Sequence, residues 1–145
     1  MNNKLEESQF IIYKNKEGDI VVNVILKDET IWITQKGMAQ LFDVKVPAIS
    51  KHLDNIFSDQ ELEYSSTVSK MEILQKEGNR NVRRNLELYN LDAIIAVGYR
   101  VNSKKATQFR IWAINVLKEY MIKGFIIDKE KMKNGSSFGK DYFDE

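Results

Sequence analysis

The stretch 34–57 constrains the fold most, because its apolar residues follow the spacing of helices rather than the alternation of strands. Thr34 is a typical N-cap residue, and Met38 and Phe42 fall on one face of the helix that would follow it. Asp43 breaks this pattern, and Asp tolerates a left-handed backbone better than most residues. The pattern predicts a short first helix that ends in a tight turn.

A second helix is predicted directly after this turn, with Pro47 in its first turn. Its apolar face would consist of Ile49, Leu53, Ile56 and Phe57. Ala39 supplies the small residue that two crossing helices need, and Met38, Phe42, Val44 and Ile49 would plug the angle between them. Residues 35–53 therefore predict a helix-turn-helix. Any two short amphipathic helices joined by a tight turn give a similar string, and this alternative stays open.

The flanking sequence predicts strands before and after the helix pair. Three short β-prone runs at 10–13, 20–26 and 30–33 predict an antiparallel meander. A β-rich stretch over 68–89, with turn residues at 76–80, predicts a hairpin in the position of a wing.

The C-terminal third is predicted to be helical. Asn90 can cap one helix, and a long helix is predicted from Ser103 to Lys123, ended by Gly124. The expected fold is α+β: a winged helix-turn-helix-like domain with a small antiparallel N-terminal sheet and a long C-terminal helix. We expect strands, helix-turn-helix and wing in 1–89, a helical lobe in 90–131 and a flexible tail in 132–145, the first two forming one domain.

Composition narrows the class of protein. The chain of 145 residues has no cysteine, which excludes disulfides and thiolate metal sites and fits a reducing compartment. It shows neither a secretory signal peptide nor an apolar stretch of transmembrane length. We therefore expect a soluble cytoplasmic protein without a membrane partner.

The net charge of +1 hides an uneven distribution along the chain. Residues 99–123 carry six basic residues against one acidic residue, and residues 70–89 carry five against three. Concentrated basic charge is what phosphate contacts need, although a solvated helix face gives the same pattern. An ordinary exposed hairpin would likewise explain the second cluster.

With the helix-turn-helix core assigned, the start of its second helix is left facing outward, as in a recognition helix that reads the major groove. Ser50 and Lys51 can hydrogen-bond bases or phosphates, and Val46 or Ala48 can meet a thymine methyl group. Phosphates would be held by Gln35 at the start of the first helix, by the hairpin and by the 100–105 segment. The candidate DNA-binding residues are Gln35, Lys45, Val46, Pro47, Ala48, Ser50, Lys51, Lys76, Arg80, Arg83, Arg84, Arg100, Lys104 and Lys105.

The sequence offers little for catalysis or cofactors. His52 is the only histidine, and its helical position predicts a partly buried structural residue. Neither a dinucleotide-binding glycine motif nor a P-loop occurs. The pair Phe109 and Trp112 at helical spacing is predicted to lie in the core. We therefore expect no enzyme activity, no catalytic residues, no metal and no cofactor.

Several runs resemble the RhuM family. The resemblance rests on segments 32–35, 38–42 and 49–57, and above all on the long run 89–113, within a match of about 11–128. It implies a bacterial or phage-derived, virulence-associated protein with a DNA-binding-like N-terminal region, carried here by 35–53 and by the basic segment 100–110. Residues 106–124 also resemble the end of phage and viral Bro-N antirepressor domains. The His-Pro-Phe motif of Fic proteins is absent.

The function predicted from these features is sequence-specific binding of double-stranded DNA by a homodimeric transcriptional regulator, with the long helix 103–123 as the dimer contact. One alternative is an antirepressor-type module that binds a repressor protein through an exposed apolar patch on that helix. Another is an accessory N-terminal domain of a larger toxin-like protein, since family members are typically longer.

Overall fold

A computed structural model describes residues 9–134, and for Gln75 and residues 122–134 it describes the backbone alone. The fold is mixed α+β, with an antiparallel sheet and C-terminal helices, as predicted. The elements in chain order are β1 (Gln9–Lys14), β2 (Val21–Lys27), β3 (Thr30–Ile33), α1 (Gln35–Phe42), α2 (Val46–Ser58), α3 (Tyr64–Thr67), β4 (Val68–Glu77), β5 (Arg80–Asn90), α4 (Leu91–Val101) and α5 (Ser103–Asn134). Every predicted strand and helix is present, and α3 is an addition.

The predicted meander and the predicted hairpin form a single sheet rather than two units. Its strand order is β1-β2-β3-β5-β4, and every neighbouring pair is antiparallel. The join between the two parts is short, because β3 meets β5 only where Trp32 pairs with Asn90 and Ile33 with Tyr89. The hairpin β4–β5 therefore extends well beyond its junction with the rest of the sheet.

The helices pack on one face of this sheet. The main core joins alternate strand residues such as Val24, Ile31 and Ile33 to buried residues of α1, α2, α4 and α5. Successive strand residues point to opposite faces, so the intervening residues form a separate cluster on the other face. That second cluster contains strand residues only: Ile25, Trp32, Met71 and Leu88 are buried in it, and Ile73 and Leu86 pack against them.

Gly98 lets α4 pack closely against two other helices. A Cβ at this position would lie 2.6 Å from the Cβ of Ala106 and 2.6 Å from Cζ of Phe42. Both α5 and α1 therefore approach α4 more closely than any larger residue would allow. Asn102 separates α4 from α5, which begins at Ser103 as predicted, and its side chain accepts a hydrogen bond from the Lys105 N–H.

The predicted end of the long helix at Gly124 is wrong. Helix α5 continues through Gly124 to Asn134. A glycine inside a helix costs only about 1 kcal/mol relative to alanine, and helical residues on both sides outweigh this. Residues 132–134, assigned to a tail from the sequence, therefore belong to α5, and the rest of that segment lies outside the described residues. Within the described range, no helix is both long enough and apolar enough to cross a membrane.

Candidate nucleic-acid interface

The turn between α1 and α2 has the geometry that the sequence predicts. The Thr34 hydroxyl caps α1 by accepting a hydrogen bond from the Gly37 N–H at 3.0 Å. Asp43 ends the helix in the left-handed region at φ 59° and ψ 49°, and its N–H bonds to the Ala39 carbonyl. Pro47 lies in the first turn of α2. The two helices are thus separate and joined by a tight turn, as predicted.

The predicted core of the helix pair is also confirmed. Met38, Phe42 and Ile49 are buried, and Val44 packs against them from the turn. Ala39, the small residue expected at the crossing, is buried in the same core. Helix α2 therefore stands on an apolar base, which fixes the orientation of its outer face.

The start of α2 presents the predicted contact residues to solvent. Lys45, Val46, Pro47 and Lys51 are exposed, whereas Ala48 and Ser50 are half-buried. In the described part of the chain, neither lysine has an ion-pair partner, so both ammonium groups are available to an anion. Asp54 is exposed one turn further along and limits the positive charge of this face.

Gln35, predicted to hold a phosphate, is engaged within the molecule. Its amide nitrogen donates to the Tyr89 hydroxyl at 2.9 Å, across from α1 to the base of the hairpin. Tyr89 in turn donates to Glu87, which also accepts from Tyr64 at 2.9 Å. The side chain of Gln35 therefore positions the hairpin against α1, and an anion at this point would meet competition from Tyr89.

Burial of Tyr89 stabilises the protonated phenol of this network. It raises the pKa of Tyr89 from 10.0 to about 12. The hydrogen bond from Gln35 lowers this pKa, whereas the negative charge of Glu87 raises it further. The hydroxyl consequently remains a hydrogen-bond donor throughout the neutral range. The link between α1 and the hairpin is therefore insensitive to pH near neutrality.

The four predicted hairpin cations do not share a face. Residues that pair across two strands point to the same side, and the register pairs Lys76 with Asn81, Leu74 with Arg83 and Glu77 with Arg80. By this alternation, Lys76 and Arg83 lie on the side that carries the helices, and Arg80 and Arg84 lie on the opposite side. Only Lys76 and Arg83 can therefore contact a duplex that is bound on the helix side of the sheet.

Acidic neighbours already engage two of these cations. Arg83 contacts Glu72 at 3.4 Å, and Arg84 forms an ion pair with Glu77. Both pairs are exposed, where such contacts contribute little to stability and yield easily to a competing phosphate. Lys70 was missed by the sequence reasoning, although it shares the helix side with Lys76, six residues away. The even spacing of the two lysines along β4 is the signal that would have found it.

The third predicted group lies where α4 meets α5. Arg100 bonds to Glu61 at 2.6 Å and so ties α4 to the segment after α2. Lys104 is exposed and Lys105 half-buried in the first turn of α5. Of the three predicted cations, the two lysines are therefore free of ion pairs among the described residues, while Arg100 is engaged.

The remaining candidates for chemistry are sparse. The described residues contain no group of three or more His, Cys, Asp or Glu side chains arranged to hold a metal ion. His52 is half-buried, as predicted, and its Nδ1 is buried without a hydrogen-bond partner in the described part of the structure. Phe109 is buried and Trp112 packs beside it at 5.5 Å between ring centroids, which confirms their place in the core.

In a comparison with family models, residues 66–145 match the Virulence protein RhuM family. The matched part begins later and ends later than the resemblance in the sequence suggested. It contains the hairpin, α4 and α5, whereas α1 and α2 lie before it. No curated protein and no solved structure matches the chain significantly.

Proposed function

The chain belongs to the RhuM family of virulence proteins, and from this premise we propose that it is a non-enzymatic module that binds double-stranded DNA and regulates transcription. Helix α2 would enter the major groove by its N-terminal end. The observation that carries this proposal is the exposed face of Lys45, Val46, Pro47 and Lys51 on a helix held from below by a buried core.

The connectivity supports this proposal independently of the exposed face. Strand β3 precedes the helix pair, the hairpin β4–β5 follows it, and β5 returns to pair with β3. This order is the one found in winged helix-turn-helix domains, where the hairpin is the wing. Lys76 and Arg83, together with Lys70, lie on the helix side of the hairpin and would contact phosphates beside the groove.

The corner between α4 and α5 would supply further phosphate contacts. Lys104 and Lys105 stand in the first turn of α5, where the helix dipole disfavours positive charge. A bound phosphate would relieve this repulsion. Arg100 would join them only by leaving Glu61.

We also propose that the chain acts as a homodimer, since one short recognition helix supplies limited specificity. Helix α5 carries exposed apolar residues at Ile111, Ile114 and Met121, away from its buried residues Ala106, Phe109 and Ala113. A second copy packed on these residues would place two recognition helices on one duplex.

The same apolar residues favour a second candidate function. A module of the antirepressor type would bind a repressor protein through Ile111, Ile114 and Met121 and would need no DNA contact. Salt-sensitive affinity for DNA distinguishes the two functions, because the antirepressor alternative predicts none.

The test measures binding to mixed-sequence duplex DNA by fluorescence anisotropy at low and moderate salt. We expect the affinity of the native chain to fall steeply with salt, because each phosphate contact releases a counterion. The double variant Ser50→Ala/Lys51→Ala should bind about tenfold more weakly, with a salt slope smaller by roughly one.

The matched control is Lys16→Ala, which removes one exposed lysine from the β1–β2 turn. It should bind DNA as the native chain does. Equal weakening by both variants would mean that binding follows net charge alone and not the face of α2. A native chain without salt-dependent binding would exclude the proposed function.

A further inference from the structure

The exposed side of α2 continues beyond the residues that were predicted to contact DNA. Asn55 is exposed one helical turn after Lys51, and Asp54 is exposed beside it. Neither was predicted as a contact from the sequence. Leu53 and Ile56 are 2% and 0% exposed on the side of the helix that is turned to the core, so their packing fixes the direction in which Asp54 and Asn55 point.

Asn55 contributes no side-chain hydrogen bond to the fold, as far as the structure describes it. Its backbone carbonyl accepts a bond from the Asp59 N–H at 2.9 Å, as in a regular helical turn. Its side-chain amide has no hydrogen-bond partner among the described residues. Asparagine is also a weaker helix former than alanine, because its amide competes for backbone hydrogen bonds. A residue that weakens its helix without a structural return is typical of a functional site.

The acidic neighbour indicates what kind of contact this turn of α2 makes. Asp54 follows Lys51 by three residues, which makes the two neighbours on the helix surface, yet they form no ion pair in the described structure. A carboxylate repels phosphate, so this turn is unsuited to lie along a DNA backbone. Base edges in the major groove offer amino-group donors as well as acceptors, so an acid can lie beside them. The charge pattern therefore favours bases over phosphates.

We propose that Asn55 is a base-reading residue of α2 and that it selects an adenine. The proposal rests on the proposed function, in which α2 enters the major groove, and extends the contact by one helical turn. An asparagine amide can donate to N7 of adenine and accept from its N6 amino group at the same time. Lys51 has donors only, and its ammonium suits the two acceptors of guanine instead.

The helical spacing predicts where this adenine lies. Asn55 follows Lys51 by four residues, which corresponds to about 6 Å along the helix axis. Successive bases of a strand are about 3.4 Å apart along the duplex. The adenine should therefore lie within about two base pairs of the base that Lys51 contacts.

The first experiment selects binding sites from random duplex DNA with the native chain and with Asn55→Ala. We expect the native chain to select a site with adenine at one position, and the variant to lose the preference at that position alone. The matched control is Asn23→Ala, which removes an exposed asparagine from the sheet face opposite the helices and should select the native site. Circular dichroism checks that both variants fold.

The second experiment replaces the selected adenine by 7-deazaadenine, which lacks the N7 acceptor and keeps the base pair. The native chain should bind this duplex about threefold more weakly or worse, because one hydrogen bond is lost. Guanine in place of the adenine should cost it at least about fivefold. Asn55→Ala should bind the adenine and 7-deazaadenine duplexes equally. All titrations use one salt concentration, because phosphate contacts depend on salt.

Four results would overturn the proposal, and they separate it from the proposed function. A native chain that binds DNA with a steep salt dependence but selects no site would exclude base reading and leave DNA binding in place. The same selected site for the native chain and Asn55→Ala would assign the reading to other residues, as would an equal loss of both chains on 7-deazaadenine. A native chain without salt-dependent binding would exclude both proposals together.

Discussion

The helix pair α1–α2 and the hairpin β4–β5 both carry candidate DNA contacts, but they are built differently. The helix pair rests on side chains in the main core, and its exposed lysines are free of ion pairs within the described chain. Most hairpin residues between Met71 and Leu88 are exposed, and two of the hairpin arginines bond to acidic neighbours. Backbone pairing between its two strands holds the hairpin together.

Because of this difference, substitutions in the two regions are expected to affect different properties, stability in the helix pair and binding in the hairpin. Substitutions under α2 remove packing and therefore lower the free energy of unfolding. Substitutions along the hairpin remove charge from a surface and therefore alter binding to an anion more than stability. Tyr89 is the point where the two regions meet, since it receives the bond from Gln35 at the base of β5.

The largest difference between the two regions is expected in the free energy of unfolding, when one leucine of each region is truncated to alanine. Leu53 of α2 is 2% exposed, and Leu53→Ala should lower the free energy of unfolding by about 2–5 kcal/mol through the cavity that it creates. Leu74→Ala in the hairpin should change it by less than about 0.5 kcal/mol. Urea denaturation measures both. Similar losses of stability in the two variants would show that the hairpin is packed as tightly as the helix pair.

The link between the regions predicts a loss of stability in alkali. Because the pKa of Tyr89 is about 12 in the folded chain and near 10.0 in the unfolded chain, its contribution is complete below pH 10 and is lost between pH 10 and 12. Two pKa units correspond to roughly 2–3 kcal/mol. Tyr89→Phe should make the decline of stability over this pH range less steep. A smaller decline should remain from Tyr13, because burial raises the pKa of that residue as well. Thermal unfolding at pH 9 and about pH 11 tests this, and equal declines in both chains would contradict it.

A third prediction concerns Gly98 of α4, which packs against the same core as the helix pair. Gly98→Ala would push a Cβ into Ala106 and Phe42, and overpacking typically costs about 1–3 kcal/mol. The helix propensity of alanine offsets about 1 kcal/mol of this loss. We expect a net loss of up to about 2 kcal/mol in urea denaturation, whereas a more stable Gly98→Ala chain would show that the helices can separate at no cost. Gly78→Ala at the hairpin tip is the control for a glycine with open space around it, where the strain of a left-handed backbone is the only penalty.

The smallest effect is expected on DNA affinity, when one cation is removed from each face of the hairpin in turn. Lys76→Ala removes a cation from the helix side and should weaken DNA binding about threefold, with a salt slope lower by roughly one. Arg80→Ala removes an equal charge from the opposite side and should change the affinity less. The measurement is the anisotropy titration at several salt concentrations. A greater loss for Arg80→Ala would place the duplex on the other face of the sheet.

Local features of this protein could be read from the sequence because near neighbours determine them. Thr34 and Asn90 cap helices through bonds to residues three positions away, and Asp43 takes the left-handed turn that its short side chain tolerates. Runs of β-prone residues separated by turn residues located the strands. Such signals depend on the chemistry of a few adjacent residues, so they survive without knowledge of the fold.

The tertiary structure decided what distant residues do together. The pairing of β3 with β5 merges the meander and the hairpin into one sheet. It also brings Tyr89 to Gln35 and Glu61 to Arg100, which occupies two predicted phosphate contacts. The same pairing assigns Lys76 and Arg80 to opposite faces. These contacts join residues up to 58 positions apart, and no local pattern encodes them, because their energy exists only once the sheet has formed.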